Sequence, residues 1–111
     1  MTKSETSSHL MNFLCMAEVR PGMYFGSICV SDVHKQLAGW QGHRHVAKDD
    51  DTFADHFFSN FHDYVGKKYN DRSTYGWPGV IRKNTSSEID EYPLFMELLR
   101  EFFAEFSRRN V

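Results

Sequence analysis

The side chains best able to do chemistry in this 111-residue chain are six histidines and two cysteines. His43 and His45 could supply two ligands to a metal ion, but no cysteine or carboxylate stands beside them at a zinc-site spacing. His56 and His62 also lack the i, i+4 spacing that places two ligands on one helix face. We therefore expect no metal and no cofactor. A small metal-binding or enzymatic module that uses the histidines is the alternative.

Neither cysteine has the surroundings of a catalytic nucleophile. A reactive thiolate needs a nearby base, whereas Cys15 and Cys29 both lie among apolar residues. They form no CxxC pair and are too few for a disulfide framework, which favours two free thiols in a reducing compartment. The chain also contains no GxSxG, HExxH or glycine-rich phosphate loop. The sequence therefore predicts a protein that is not an enzyme.

Two other features predict a protein partner. Carboxylates cluster in residues 49–55 and again in residues 88–91, and such clusters attract basic proteins. An aromatic pair on a predicted loop is typical of interface anchors. The candidate partner-binding residues are Asp49, Asp50, Asp51, Asp55, Tyr75, Trp77, Glu88, Asp90 and Glu91. In the alternative interpretation the acids are helix caps and solvated charges, and Trp77 folds back onto the core.

The composition restricts the class of protein. The formal net charge is −2, whereas binding to a phosphate backbone requires a clearly basic face, so we expect no direct contact with nucleic acid. An aromatic content of 15% is too high for a disordered chain, and the length fits one domain over residues 1–111. No run approaches the roughly 18 apolar residues of a membrane span, and the N-terminus lacks a signal-peptide core. These observations predict a cytoplasmic protein with no membrane partner.

The spacing of apolar residues predicts four helices that position these groups. The first follows a cap within residues 6–8. The second is capped by Ser31 and leads into a polar connection at residues 42–50. The third follows the acids at residues 49–51 and is rich in phenylalanine, and the last begins near Asp90.

Two Pro-Gly pairs connect the predicted helices. Arg20-Pro21-Gly22-Met23 has the residue types of a type II turn, and Trp77-Pro78-Gly79-Val80 predicts a second turn. The predicted fold is all-α, a compact domain of about four helices joined by Pro-Gly turns. The alternative is α+β, with a small hairpin built from residues 23–30 and 75–83.

The first of these pairs belongs to a longer string, Arg20-Pro21-Gly22-Met23-Tyr24-Phe25-Gly26. A capped helix ending in Gly39-Trp40, an aromatic third helix, Gly76-Trp77 and a Leu/Phe-rich last helix follow it. Together these features resemble small bacterial immunity proteins of contact-dependent growth inhibition and similar toxin–immunity pairs, over residues 8 to 107. The motif positions are Arg20, Pro21, Gly22, Tyr24 and Gly26, which we expect to shape the fold more than to touch a partner.

This resemblance implies a non-catalytic inhibitor in the cytoplasm. Such a protein binds one cognate toxin domain, commonly a nuclease, and occludes its active site or an adjoining surface. An electropositive nuclease site would attract the carboxylate clusters of this chain. A self-associating module whose exposed aromatic residues bind a second copy is a further alternative, and the oligomeric state is not predicted.

Overall fold

The structure is a computed structural model that describes residues 8–26, 28–47, 50–72 and 76–109, with only the backbone described at 45–47. Within these ranges the chain forms six α-helices, one 3-10 turn and no strand. The helices are α1 (His9–Ala17), α2 (Pro21–Phe25), α3 (Val30–Ala47), α4 (Thr52–Tyr69), α5 (Gly76–Lys83) and α6 (Glu91–Arg109). The predicted all-α class is confirmed. Helices α2 and α5 stand where the alternative placed a hairpin.

Aromatic side chains of α4, α5 and α6 meet in the core. The ring of Phe61 lies 5.4 Å from that of Trp77, 5.8 Å from Phe95 and 5.2 Å from Phe102, measured between centroids. Phe61 and Phe95 have no exposed surface, and Trp77 and Phe102 have at most 5%. Burial of each ring stabilises the fold by roughly 1.5–3 kcal/mol before entropy is counted. This core is the scaffold on which the surface features are mounted.

The shortness of α1 means that tertiary contacts must hold it in place, because a helix of nine residues is marginal by itself. Ser8 caps its N-terminus, and the Ser8 Oγ accepts a hydrogen bond of 3.1 Å from the Met11 amide. At the other end the hydroxyl of Tyr92 donates to the Leu14 carbonyl at 3.1 Å. The cap predicted within residues 6–8 is thus Ser8.

The predicted type II turn at Pro21-Gly22 is wrong. Pro21 is the first residue of α2, and Gly22 lies inside this helix. The positive φ occurs instead at Gly26 (70°), whose amide donates to the Gly22 carbonyl at 2.9 Å. The fixed φ of proline suits the first helical position as well as it suits a turn, and Gly26, just after the helix, supplies the left-handed C-cap.

The second Pro-Gly pair also lies in a helix, not in a turn. Pro78 and Gly79 belong to α5, and the positive φ (78°) is at Gly76 before them. A proline in the first helical turn loses no hydrogen bond, because the amides there have no partner within the helix. The pair therefore lies in the first turn of α5 and does not reverse the chain.

Helix α3 is longer than predicted. It begins at Val30, before the expected cap Ser31, and it continues to Ala47 through residues assigned to a polar connection. Gly42 lowers helix propensity, but the buried Arg44 that follows it anchors this part of the helix. The starts predicted for the third and last helices agree with α4 and α6.

Candidate partner-binding surface

Asp51 is buried and performs a structural role. Only 2% of it is exposed. Its Oδ1 accepts from the Ala54 amide at 3.0 Å and so caps α4. Its Oδ2 accepts from the Leu10 amide at 3.0 Å and from the Ser8 hydroxyl at 3.1 Å. Asp51 therefore fastens α1 to α4, and the prediction that it faces a partner is corrected.

The other acids of this first cluster lie at the surface. Asp50 is exposed, and 64% of the Asp55 side chain is exposed. The Oδ1 of Asp55 accepts from the Nη1 of Arg44 at 3.0 Å. The Arg44 side chain is buried, and its guanidinium lies 5.5 Å from the centre of the Trp40 ring. Asp49 lies outside the described residues.

Glu91 is the buried member of the second cluster. It is 4% exposed, and its Oε1 accepts from the Val30 amide at 3.0 Å. Its Oε2 lies 4.0 Å from the Nε of Arg82. The carboxylate at the start of α6 thus caps α3, the helix for which Ser31 was the predicted cap. Because Glu91 is buried and bonded within the protein, as Asp51 is, the prediction that it contacts a partner is corrected.

The neighbours of Glu91 form an exposed 3-10 turn, which we name the acidic turn (Glu88–Asp90). Both carboxylates are exposed, and Ile89 between them is 73% exposed. The Ser87 hydroxyl donates to the Asp90 Oδ2 at 3.3 Å, which closes the turn. The turn therefore presents two charges and one apolar side chain to the solvent.

Trp77 is a core residue. It is 5% exposed and stacks on Phe95 at 4.8 Å. The ring of His34 meets it edge-on at 5.4 Å, and burial lowers the pKa of this histidine. Trp77 is therefore unavailable as an interface anchor, which corrects that prediction. Tyr75 lies outside the described residues.

The motif residues lie in α2 or directly next to its ends. Arg20 is exposed, and Pro21 and Gly22 are half-buried. Tyr24 is 39% exposed and packs edge-on against Phe13 at 5.9 Å. The residues that define the ends of α2 are Pro21 and Gly26, which fits a role in shaping the fold, while Tyr24 also contributes to the surface.

One apolar surface of the described residues was not predicted from the sequence. It consists of exposed side chains on α1, on α2 and in the connections that follow them, and we name it the α1–α2 face. Its members are Phe13, Met16, Val19, Met23, Tyr24 and Ile28, which are 36–84% exposed. Phe13 shares one face of α1 with the buried Leu10, Leu14 and Ala17, because residues at i, i+3, i+4 and i+7 lie on the same side of a helix. The available signal was that Met16 and Val19 are large apolar residues off that face.

A groove borders the α1–α2 face, and we name it the α1–α3 groove. Its volume is about 380 Å³. Apolar side chains dominate its lining, which consists of His9, Leu10, Phe13, Phe25, Gln36, Leu37 and Trp40. The Gln36 side chain donates to the Phe25 carbonyl and joins α3 to the end of α2. Phe13 belongs to both the groove and the face.

The histidines form no metal-ligand cluster in the described part of the chain, where no group of three or more His, Cys, Asp or Glu could hold an ion. His56 stacks on Phe102 at 4.8 Å. Its burial, and then the positive charge of Arg109, lower the pKa of this histidine. Cys15 and Cys29 are half-buried and are not joined in a disulfide.

Because the comparisons with known proteins found no match, the function is inferred from the surface of the protein. No protein-family model matches the chain, and neither a curated protein nor a solved structure matches it. None of the helices in the described ranges has the length and apolar character needed to cross a membrane.

Proposed function

We propose that this chain is a bacterial immunity protein that binds one cognate toxin domain in the cytoplasm and neutralises it. The simplest target is a nuclease, whose active site or adjoining surface the protein would cover. Inhibition would require complementary shape and charge, and no catalysis by this chain. The observation that carries the proposal is the acidic turn, where Glu88 and Asp90 flank the exposed Ile89.

The chemistry of the acidic turn suits this target. A nuclease binds phosphates and so has an electropositive site, and carboxylates on an inhibitor accelerate association with such a site. Ile89 adds an apolar contact that becomes favourable only when a partner removes it from water. Charge would thus guide the encounter, and apolar burial would hold the complex.

The two carboxylate clusters differ in how free their charges are to meet a partner. In the first cluster Asp55 forms an ion pair with Arg44, and among the described residues no exposed large apolar side chain lies beside it in sequence. In the second, Glu88 and Asp90 lie on either side of one. The second cluster is therefore the better candidate for the contact, with Asp50 and Asp55 contributing at longer range.

A rigid scaffold also favours binding. The acidic turn is joined directly to α6, whose first residue is buried and bonded to α3. A surface that is already ordered loses little conformational entropy on association. The aromatic core below it supplies that rigidity.

A rescue experiment tests the proposed function. The C-terminal domain of the polypeptide encoded immediately upstream is expressed from an inducible promoter in bacteria, with or without this chain. We expect growth arrest without the chain and growth with it, and a complex of the two proteins on size-exclusion chromatography. Arrest that persists although both proteins are present, or an upstream domain that is harmless, contradicts the proposal.

The same purified protein discriminates the alternatives. A stoichiometric metal ion in untagged protein would favour the histidine-based module. A mass that doubles with concentration in the absence of the toxin domain would favour self-association. A monomer without metal that binds the toxin domain supports inhibition.

A further inference from the structure

We propose that the α1–α3 groove accepts one apolar side chain, aromatic or aliphatic, from the toxin domain, at the same time as the acidic turn meets basic residues of that domain. This inference rests on the proposed function and adds the position and chemistry of the anchor. The partner surface it describes is a protruding apolar residue bordered by lysine or arginine.

The lining of the groove fits an apolar guest. Phe13, Phe25 and Trp40 contribute three aromatic rings, and Leu10 and Leu37 contribute aliphatic walls. A volume of about 380 Å³ lies within the range of roughly 300–1,000 Å³ that is typical of ligand pockets. Interface energy is commonly concentrated where one large side chain fills such a pocket.

The groove is held open by contacts between helices. Phe13 packs edge-on against Phe25 at 5.7 Å, which sets the distance between α1 and α2. Gln36 fixes the end of α2 to α3 through the Phe25 carbonyl. The walls thus belong to three helices whose relative positions are set before a partner arrives.

The acidic turn is connected to the wall of the groove through the start of α6, because the ring of Phe25 lies 6.0 Å from that of Tyr92, two residues after Asp90. The hydrogen bond from the Val30 amide to Glu91 joins the start of α3 to the start of α6. Ile28 and Ile89 each precede one of these residues by two positions, so each lies within about 7 Å of it along the chain. Ile28 also lies beside Gly22 of α2, because a Cβ added to this glycine would be 3.7 Å from the Ile28 Cγ2.

This arrangement selects the chemistry of the occupant. The groove and the acidic turn, which bears two exposed carboxylates, are joined through Phe25 and Tyr92 and through the bond between Val30 and Glu91. The complement of such a surface is apolar at the groove and positive at the turn. A nuclease domain has the positive part at its active site, so one partner can satisfy both contacts.

The first experiment measures affinity with the same upstream-encoded domain. Phe13→Ala removes a wall of the groove, and Phe103→Ala is the matched control, because Phe103 is also a partly buried ring but lies on α6 against Phe53. We expect Phe13→Ala to raise the Kd by about 30-fold, as hot-spot residues do, and Phe103→Ala to leave it unchanged. Circular dichroism establishes that both variants are folded.

The second experiment needs no toxin. N-acetyl-tryptophanamide at millimolar concentration serves as the apolar probe, and amide spectra of the protein are recorded by NMR. We expect chemical-shift changes at Phe13, Gln36 and Trp40 and none at Phe103. Because this probe is independent of the partner, it tests the groove even where rescue fails.

The outcomes separate the two proposals. Shift changes at the groove together with a weakened Phe13→Ala complex support the inference. Failure of rescue with shift changes at the groove overturns the proposed function and leaves the groove as an apolar side-chain site. Rescue with equal affinities for Phe13→Ala and Phe103→Ala, or a probe that shifts no groove residue, overturns the inference.

Discussion

The two acidic clusters of this protein contain the same two kinds of carboxylate, buried and exposed, and differ in the residues around them. Each has a buried carboxylate that caps a helix, Asp51 in the first and Glu91 in the second. Each also has exposed carboxylates next to the buried one. In the first cluster an exposed acid is bonded to the buried Arg44, whereas in the second the exposed acids flank Ile89.

Acidic residues that are adjacent in sequence therefore have opposite roles in this protein. A carboxylate that accepts several backbone or hydroxyl hydrogen bonds belongs to the fold, since its charge is satisfied inside the protein. A carboxylate in water, such as that of Glu88 or Asp90, keeps its charge available to a partner. Substitutions within each cluster should therefore separate stability from binding.

The largest effect is expected for Asp51. Replacement by alanine removes the cap of α4 and leaves the Leu10 amide without its acceptor, which together should lower the free energy of unfolding by about 3 kcal/mol. Asn should lose less, because its amide oxygen can still accept from the Ala54 amide. Urea denaturation measures both variants. Asp50→Ala is the control and should change stability by less than about 0.5 kcal/mol; equal losses at positions 50 and 51 would contradict the buried role.

The next largest effect is expected for Glu91, whose replacement by alanine should lower the free energy of unfolding by about 2 kcal/mol. Glu91→Ala removes a charge-assisted hydrogen bond to the Val30 amide, and such bonds contribute roughly 1.5–3 kcal/mol. Glu91→Gln keeps an oxygen that can accept from the same amide and should recover much of the loss. The exposed Glu88→Ala is the control in the same denaturation series. A Gln variant as unstable as the Ala variant would show that the acceptor is not what matters.

The smallest effect concerns binding. The double substitution Glu88→Lys and Asp90→Lys should slow association with the toxin domain by about tenfold at low salt, because it repels an electropositive site. Added salt should shrink the difference. Asp50→Lys should slow association less, since Asp50 stands in the cluster without an exposed apolar neighbour. Stopped-flow rates across a salt series measure this, and a larger effect at Asp50 would reverse the assignment of the two clusters.

The sequence predicted the parts of the fold that depend on local pattern. The phenylalanine spacing and the preceding aspartates located the start of α4, and the start predicted near Asp90 agrees with the first residue of α6, Glu91. The two Pro-Gly pairs were misassigned because proline and glycine suit both turns and helix ends. The pattern could not distinguish these roles without the packing of α2 and α5.

The candidate site was less predictable, because burial of an acid depends on distant contacts. Residue type showed that Asp51 could cap a helix, but not that Leu10 and Ser8 would also donate to it. Nothing near Glu91 in the sequence indicates that its carboxylate accepts a hydrogen bond from the Val30 amide, 61 positions away. The α1–α2 face likewise depends on which side of α1 the other helices cover.

The hydrogen bond between Val30 and Glu91 makes the Val30 amide proton a reporter of the contact between the start of α3 and the start of α6. A backbone amide exchanges with deuterium only when its hydrogen bond opens, and the rate reflects the free energy of that local opening. The Val30 amide opens when the Glu91 carboxylate leaves it, either by rotation of that side chain or by separation of the first turns of α3 and α6. Its exchange rate therefore records, in a single resonance, how firmly two distant stretches of the polypeptide stay joined.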